Sequence, residues 1–191
     1  MKNPYQQDIQ SLCVKHTVTP ACEAIRDAFL ELYAKGGTPN IKELCATAHV
    51  ARTTFYAYYD DLDELREEIE NEMIWNLFQR AKGMWPLGEQ TEDLNYVNDI
   101  LNYISEKRNW FYTLLVKRPD ERLISKWKLL VKYSIWEKKC RYSHTTKNRE
   151  LTLDMIAAAA ISAYAYQLRE PKNVDLDNIQ SLIQRLICLL E

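Results

Sequence analysis

Apolar residues recur at helical spacing along most of this chain, and the breaks between the stripes fall at residues that start or stop helices. The first stripe, Ile25, Phe29, Leu32 and Tyr33, opens at Thr19-Pro20, a capping side chain followed by the residue best suited to a first turn. It closes at Gly36-Gly37. A short helix follows from Asn40, with Asn40 and Glu43 at cap and third positions and Ile41, Leu44 and Cys45 facing inward, and it ends near Ala48. After a turn at His49-Val50, a third helix runs from Ala51 to Tyr59. A fourth begins at Asp60 or Asp61, with Glu64 placed to cap and Leu62, Leu65, Ile69, Met73 and Asn76 or Leu77 on its buried side.

The stretch from Met84 to Thr91 holds Pro86 and Gly88 just after Gly83, and it marks the predicted boundary between a small front unit and a larger body. Thr91 caps a helix carrying Leu94, Val97, Leu101 and Ile104. Further helical patterns cover 109–116, 120–142, 148–170 and 175–190, the last bearing Leu176, Ile179, Leu182, Ile183, Leu186, Ile187 and Leu190. The expectation is an all-α fold of about nine helices: an extension over 1–18, a three-helix helix-turn-helix unit over 19–62, and a helical regulatory and dimerisation bundle over 63–191 that starts with the connecting helix.

Composition narrows the classes. A hydrophobic content of 47% suffices for a buried core, and 4 Gly with 6 Pro are too few for a loop-rich β fold. Cys13, Cys22, Cys45, Cys140 and Cys188 are scattered and never spaced C-x-x-C, which points to reduced thiols in a cytoplasmic protein. The first residues lack the apolar stretch of a signal peptide, and no window approaches 18 uncharged apolar residues, so neither export nor a membrane span is expected. His16, His49 and His144 stand apart, without carboxylate or thiol at ligand spacing; no metal and no cofactor is expected. No nucleophile-base pair or phosphate loop appears either, which argues against an enzyme.

Two short helices joined by a tight turn, behind a longer helix, make a helix-turn-helix whose second helix enters the major groove of DNA. Here that helix is Ala51 to Tyr59. Phe55 and Tyr59, four apart, share a face for burial and leave Arg52, Thr53, Thr54, Tyr56, Ala57 and Tyr58 outside. Arg52 suits bidentate contact with guanine, Thr53 and Ala57 suit a thymine methyl, and the hydroxyls of Thr54, Tyr56 and Tyr58 suit phosphates.

The run from Ile41 to Leu65 resembles the TetR family of regulators. Ile41, Leu44, Ala48, Val50, Thr54, Phe55, Tyr56, Tyr58, Tyr59 and Leu65 fit that family's pattern, and the resemblance covers about residues 19–75, then helix order alone. It implies base-edge contacts at Arg52, Thr53, Tyr56 and Ala57, and phosphate contacts at Thr54 and Tyr58. Asn40 and Lys42 fall where the second helix meets phosphate. It further implies a homodimer formed by the last two helices, a palindromic double-stranded operator, and a repressor relieved by a small apolar or aromatic effector. Trp110, Tyr112, Trp127, Tyr133 and Trp136 are candidates for the effector pocket. Ala157 to Ala160, Ala163 and Ala165 permit close helix approach and resemble part of the dimer face.

The chain departs from that pattern at three places. His49 replaces the turn glycine, Ala51 the serine cap, and Leu62 the lysine that holds phosphate at the start of the fourth helix. The local charge is no help. Through Asp60, the bases Lys2, Lys15, Arg26, Lys35, Lys42 and Arg52 are matched by Asp8, Glu23, Asp27, Glu31, Glu43 and Asp60. From Asp60 to Glu72, eight acids face Arg66 alone, whereas Lys117 to Arg149 holds eleven bases and three acids; these two regions either pair or are solvated separately. A second reading follows, that of a protein-binding adaptor with the same shape and weakened DNA contact.

Overall fold

Thr19 fills the cap its position suggests: its Oγ1 accepts from the Cys22 amide at 3.2 Å, with Pro20 opening the helix behind it. This helix, α2 (Pro20–Lys35), stops at Gly36, whose φ of 108° lies in the left-handed region that glycine enters without a Cβ clash. The computed structural model describes residues 2–12, 19–81, 95–136, 148–172, 181, 182 and 185. Among these residues the fold is all-helical, with nine α-helices and no strand.

The chain divides into two compact units, with the division falling inside one helix, α5 (Leu62–Ala81). Residues 13–73 form the first unit, holding α2, α3 (Ile41–Thr47), α4 (Arg52–Tyr56) and the front of α5. Ile25, Phe29, Leu44, Phe55, Leu65 and Ile69 are buried in it, each a position that the apolar stripes mark. Ile41 and Leu62, expected inward, are half-exposed. Cys22 and Cys45 are buried thiols.

Residues 1–12 and 74–191 make the second unit. It contains α6 (Asn95–Glu106), α7 (Arg108–Tyr112), α8 (Glu121–Ile135) and α9 (Arg149–Arg169). Asp120 caps α8, accepting from the amides of Arg122 and Leu123 at 2.9 and 3.3 Å. The helix expected over 109–116 is α only to Tyr112 and continues as a π-helix, Thr113–Lys117. Arg118, next in line, precedes Pro119 and is driven to φ −140°, ψ 79°, which ends the helix. Within α9, Leu153, Ile156, Ala157, Ala160, Ile161 and Leu168 are buried, and the helix packs mainly on α8. By length and composition α9 also passes as a membrane span, with Asp154 inside its apolar stretch.

One helix was not expected. Residues 6–11, read as part of an extension, form α1 (Gln6–Ser11) on the flank of α8. Asn3 Nδ2 donates to the Tyr133 carbonyl at 3.1 Å, the Tyr5 hydroxyl donates to Glu150 Oε1 at 2.5 Å, and the Tyr5 ring stands edge-on to Trp136. The expected boundary at 84–91 and its Thr91 cap lie outside the described residues. So does the helix over 175–190, apart from Ser181, Leu182 and Arg185, which are helical.

Candidate nucleic-acid interface

The turn before α4 closes through its backbone. Val50 N–H donates to the Cys45 carbonyl at 3.0 Å and His49 N–H to that of Ala46 at 3.3 Å, a pair of bonds that requires His49 to be left-handed. Its φ is 55°. Histidine thus performs a glycine's task at a steric cost. The next residue, Ala51, has the extended backbone of a cap and no side chain to complete it.

Five residues long, α4 is far below the length at which a helix is stable alone, so packing must hold it. Phe55 and Tyr59 supply that packing; both are buried, with ring centroids 5.7 Å apart. The opposite side is open: Arg52, Thr53, Tyr56 and Ala57 are exposed, Tyr56 to 56%. Thr54 and Tyr58 are half-exposed at the edges. The Tyr58 hydroxyl accepts from Thr19 Oγ1 at 3.2 Å, tying the turn that follows α4 to the cap of α2. Burial pushes the Cys45 thiol pKa up, and the Arg52 guanidinium partly offsets this.

At the start of α3, Lys42 is exposed. Asn40 is exposed too, but its Oδ1 accepts from Glu43 N–H at 2.9 Å, so this side chain serves the cap of its own helix. At the start of α5, Asp61 Oδ1 accepts from the amides of Asp63 and Glu64 at 2.9 and 2.8 Å, and Glu64 Oε2 accepts from Asp60 N–H at 2.8 Å. In the family that the sequence resembles, phosphate is held here. In this chain carboxylates take the helix amides, with Leu62 where a lysine would reach out.

Beside the buried Tyr59 lies a polar group that the apolar pattern alone does not reveal. Arg26 of α2 has no exposed surface; its Nη2 lies 3.0 Å from Glu68 Oε1, its Nη1 lies 2.6 Å from Glu72 Oε2, and its Nε donates to the Tyr59 hydroxyl at 3.2 Å. Burial pulls the guanidinium pKa down, but Glu72, Tyr59 and Glu68 outweigh it and the net direction is up. On the next side of α5, Arg66 Nε pairs with buried Glu70 at 3.2 Å and its guanidinium lies 5.6 Å from the Tyr33 ring centroid. Glu68, Glu70 and Glu72, three of the eight acids between Asp60 and Glu72, are therefore inside. The signal was present: Arg26 adjoins the stripe of Ile25 and Phe29, while Glu68 and Glu72 flank Ile69 and Met73 one turn apart. Within the second unit, Lys128 and Lys132 of the basic stretch lie 3.8 and 3.6 Å from Asp154, with Lys132 also 3.3 Å from Glu150.

The five aromatic candidates for an effector pocket all lie in the second unit. Trp127 lies between Phe111 and Tyr164, with centroids at 5.3 and 5.5 Å. Tyr133 meets Phe78 at 5.6 Å, and Trp136 meets Tyr5. Trp110 is buried under Lys107, and half-exposed Tyr112 lies under Arg108.

No family profile matches the sequence, and no curated protein sequence matches it. Among solved structures, the chain is similar to one titled dihydroxyacetone kinase operon activator DhaS, at a TM-score of 0.56 and 18% identity, over 89% of this chain and 93% of the other. The fold is TetR-like. At that identity the likeness concerns the fold alone.

Proposed function

We propose that this chain is a sequence-specific, DNA-binding transcriptional regulator of the cytoplasm that works as a homodimer on a palindromic double-stranded operator. One observation carries the reading: α4 offers Arg52, Thr53, Tyr56 and Ala57 outward while Phe55 and Tyr59 anchor it from behind. Hydrogen-bond donors, a methyl and a small residue side by side are what base edges in a major groove require. Thr54, Tyr58, Lys42 and the backbone at Asn40 take the phosphates. The likeness in fold to a protein titled an operon activator supports a regulatory role.

For the dimer we assign α9 together with 175–190. Leu151 and Met155 of α9, 60% and 63% exposed, lie on one side with Ser162 and Tyr166, a row that a second copy would cover. The output is read as repression by operator occupancy, relieved by a small apolar or aromatic effector in the second unit, with the ring cluster around Trp127 as its seat. No catalytic activity is assigned. Titration of duplex DNA at low salt tests the reading: a saturable, sequence-preferring shift supports it, and its absence overturns it.

A second reading rests on the acidic start of α5. Asp60, Asp61, Asp63 and Glu64 repel phosphate, which suits a protein-binding adaptor. Such an adaptor would capture a protein and retain no DNA.

A further inference from the structure

We infer that Arg26 is a positioning residue: gripped by Glu68 and Glu72 of α5, its guanidinium fixes Tyr59 and thereby the seating of the recognition helix α4. The consequence for base reading rests on the proposed function; the positioning itself does not.

Burying two carboxylates with one guanidinium is costly, and apolar residues of equal volume commonly stabilise a core as well or better. What such a cluster supplies is direction. Apolar contacts are non-directional, and α4 is five residues long with an uncapped start at Ala51, so the Phe55 and Tyr59 rings alone leave its rotation loosely defined. The planar guanidinium fork removes that freedom. Nη2 and Nη1 are held by carboxylates four residues apart on α5, which sets the plane of the fork against the α5 axis. Nε then points at the Tyr59 hydroxyl from inside the unit, while Thr19 holds the neighbouring Tyr58 hydroxyl near the surface. A shift of α5 along or about its axis would move both carboxylates, and Tyr59 with them.

The test uses the full chain with Tyr59→Phe, which keeps the ring and deletes the acceptor, with Glu72→Gln, which keeps the volume and deletes the charge, and with both together. Backbone amide exchange is followed by residue, and binding is compared between a selected duplex and a scrambled one. In Tyr59→Phe the amides of Phe55, Ala57 and Tyr59 should exchange about tenfold faster while those of α2 and α5 change less than about twofold. Glu72→Gln should accelerate the same α4 amides about threefold, and the double variant should not exceed Tyr59→Phe, because both act through one guanidinium. The preference for the selected duplex should fall about tenfold in Tyr59→Phe. Unchanged α4 amides in Tyr59→Phe overturn the inference. So does equal acceleration in α2 and α5, the mark of a merely stabilising cluster. If Glu72→Gln leaves α4 unchanged, the link to α5 is overturned. If the wild type prefers no sequence yet the amides respond as described, the DNA reading fails and the positioning role stands.

Discussion

Thr19 and Tyr58, thirty-nine residues apart, meet hydroxyl to hydroxyl at 3.2 Å, and the same Thr19 oxygen accepts from the Cys22 amide at the start of α2. One threonine therefore caps one helix and anchors the turn that follows another. Thr19→Val should cost about 1 kcal/mol through the lost cap, measured by urea unfolding. Tyr58→Phe should leave stability within about 0.5 kcal/mol and weaken binding to all duplexes alike, since it deletes a phosphate contact and no base contact. If Tyr58→Phe alters which sequence is preferred, its role is misassigned.

The turn and the cap before α4 are each built with a suboptimal residue. His49→Gly relieves a left-handed histidine at φ 55° and should stabilise the first unit by roughly 0.5 kcal/mol, part of the steric relief being offset by the freer unfolded chain. Ala51→Ser supplies the missing cap and should add about 0.5–1 kcal/mol. Denaturant midpoints for the single and double variants check both. A destabilised His49→Gly would mean that the imidazole itself contributes to the turn.

Much of this unit could be read in the sequence because its signals are local. Thr19, Gly36 and Asn40 act within one helical turn, and their side chains or backbone angles are as expected. What escaped depends on distant partners. Arg26 and Glu68 are forty-two residues apart, and a lone charged residue beside an apolar stripe reads as solvated until its counter-ion is placed. In α1 and its two caps the buried apolar set is just Tyr5, Ile9 and Leu12, too short for a period to emerge, and the segment is held by Tyr133, Trp136 and Glu150 far along the chain. The small residues of α9 were legible as a face for close helix approach, but Ala157 and Ala160 are buried within the second unit, where α9 packs mainly on α8, and the sequence alone does not separate the buried side of α9 from its exposed side.

Alkaline pH should unfold the first unit. Burial raises the Tyr59 phenol pKa, with Arg26 opposing and Glu68 adding to the rise, and burial raises that of the Cys45 thiol as well. Raised acids hold more protons in the native state than in the unfolded one. Stability is therefore complete below about pH 7.5, where neither unfolded-chain group has begun to ionise, and falls above it, first through the thiol as pH passes the unfolded cysteine pKa of about 8.5. Above about pH 10 Tyr59 adds a loss of up to about 1.4 kcal/mol per pH unit. Urea titrations from pH 7 to 11 should show this loss, and Tyr59→Phe should flatten the part above pH 10. An identical slope in the variant would exclude Tyr59 as its source.

Leu62 tests the thin phosphate grip. Half-exposed at the first position of α5 and flanked by Asp61 and Asp63, it offers phosphate nothing. Leu62→Lys should strengthen binding to every duplex and steepen the salt dependence by about 0.9 in log–log slope, as one added phosphate contact requires. If affinity and slope both stay at the wild-type level, the start of α5 does not approach DNA.

The most direct test of DNA reading is selection of bound duplexes from a random pool across a salt series, with wild type, Arg52→Ala and Lys42→Ala in parallel. The expected wild-type product is an inverted repeat with half-sites about one helical turn apart, or a multiple of it, retained as salt rises. Arg52→Ala should relax one base position in each half-site by about 1–3 kcal/mol, and Lys42→Ala should weaken all sequences together with a salt slope lower by about 0.9. A pool that stays random at every salt concentration, while the wild type remains folded, would contradict the claim that Arg52 to Tyr58 read DNA.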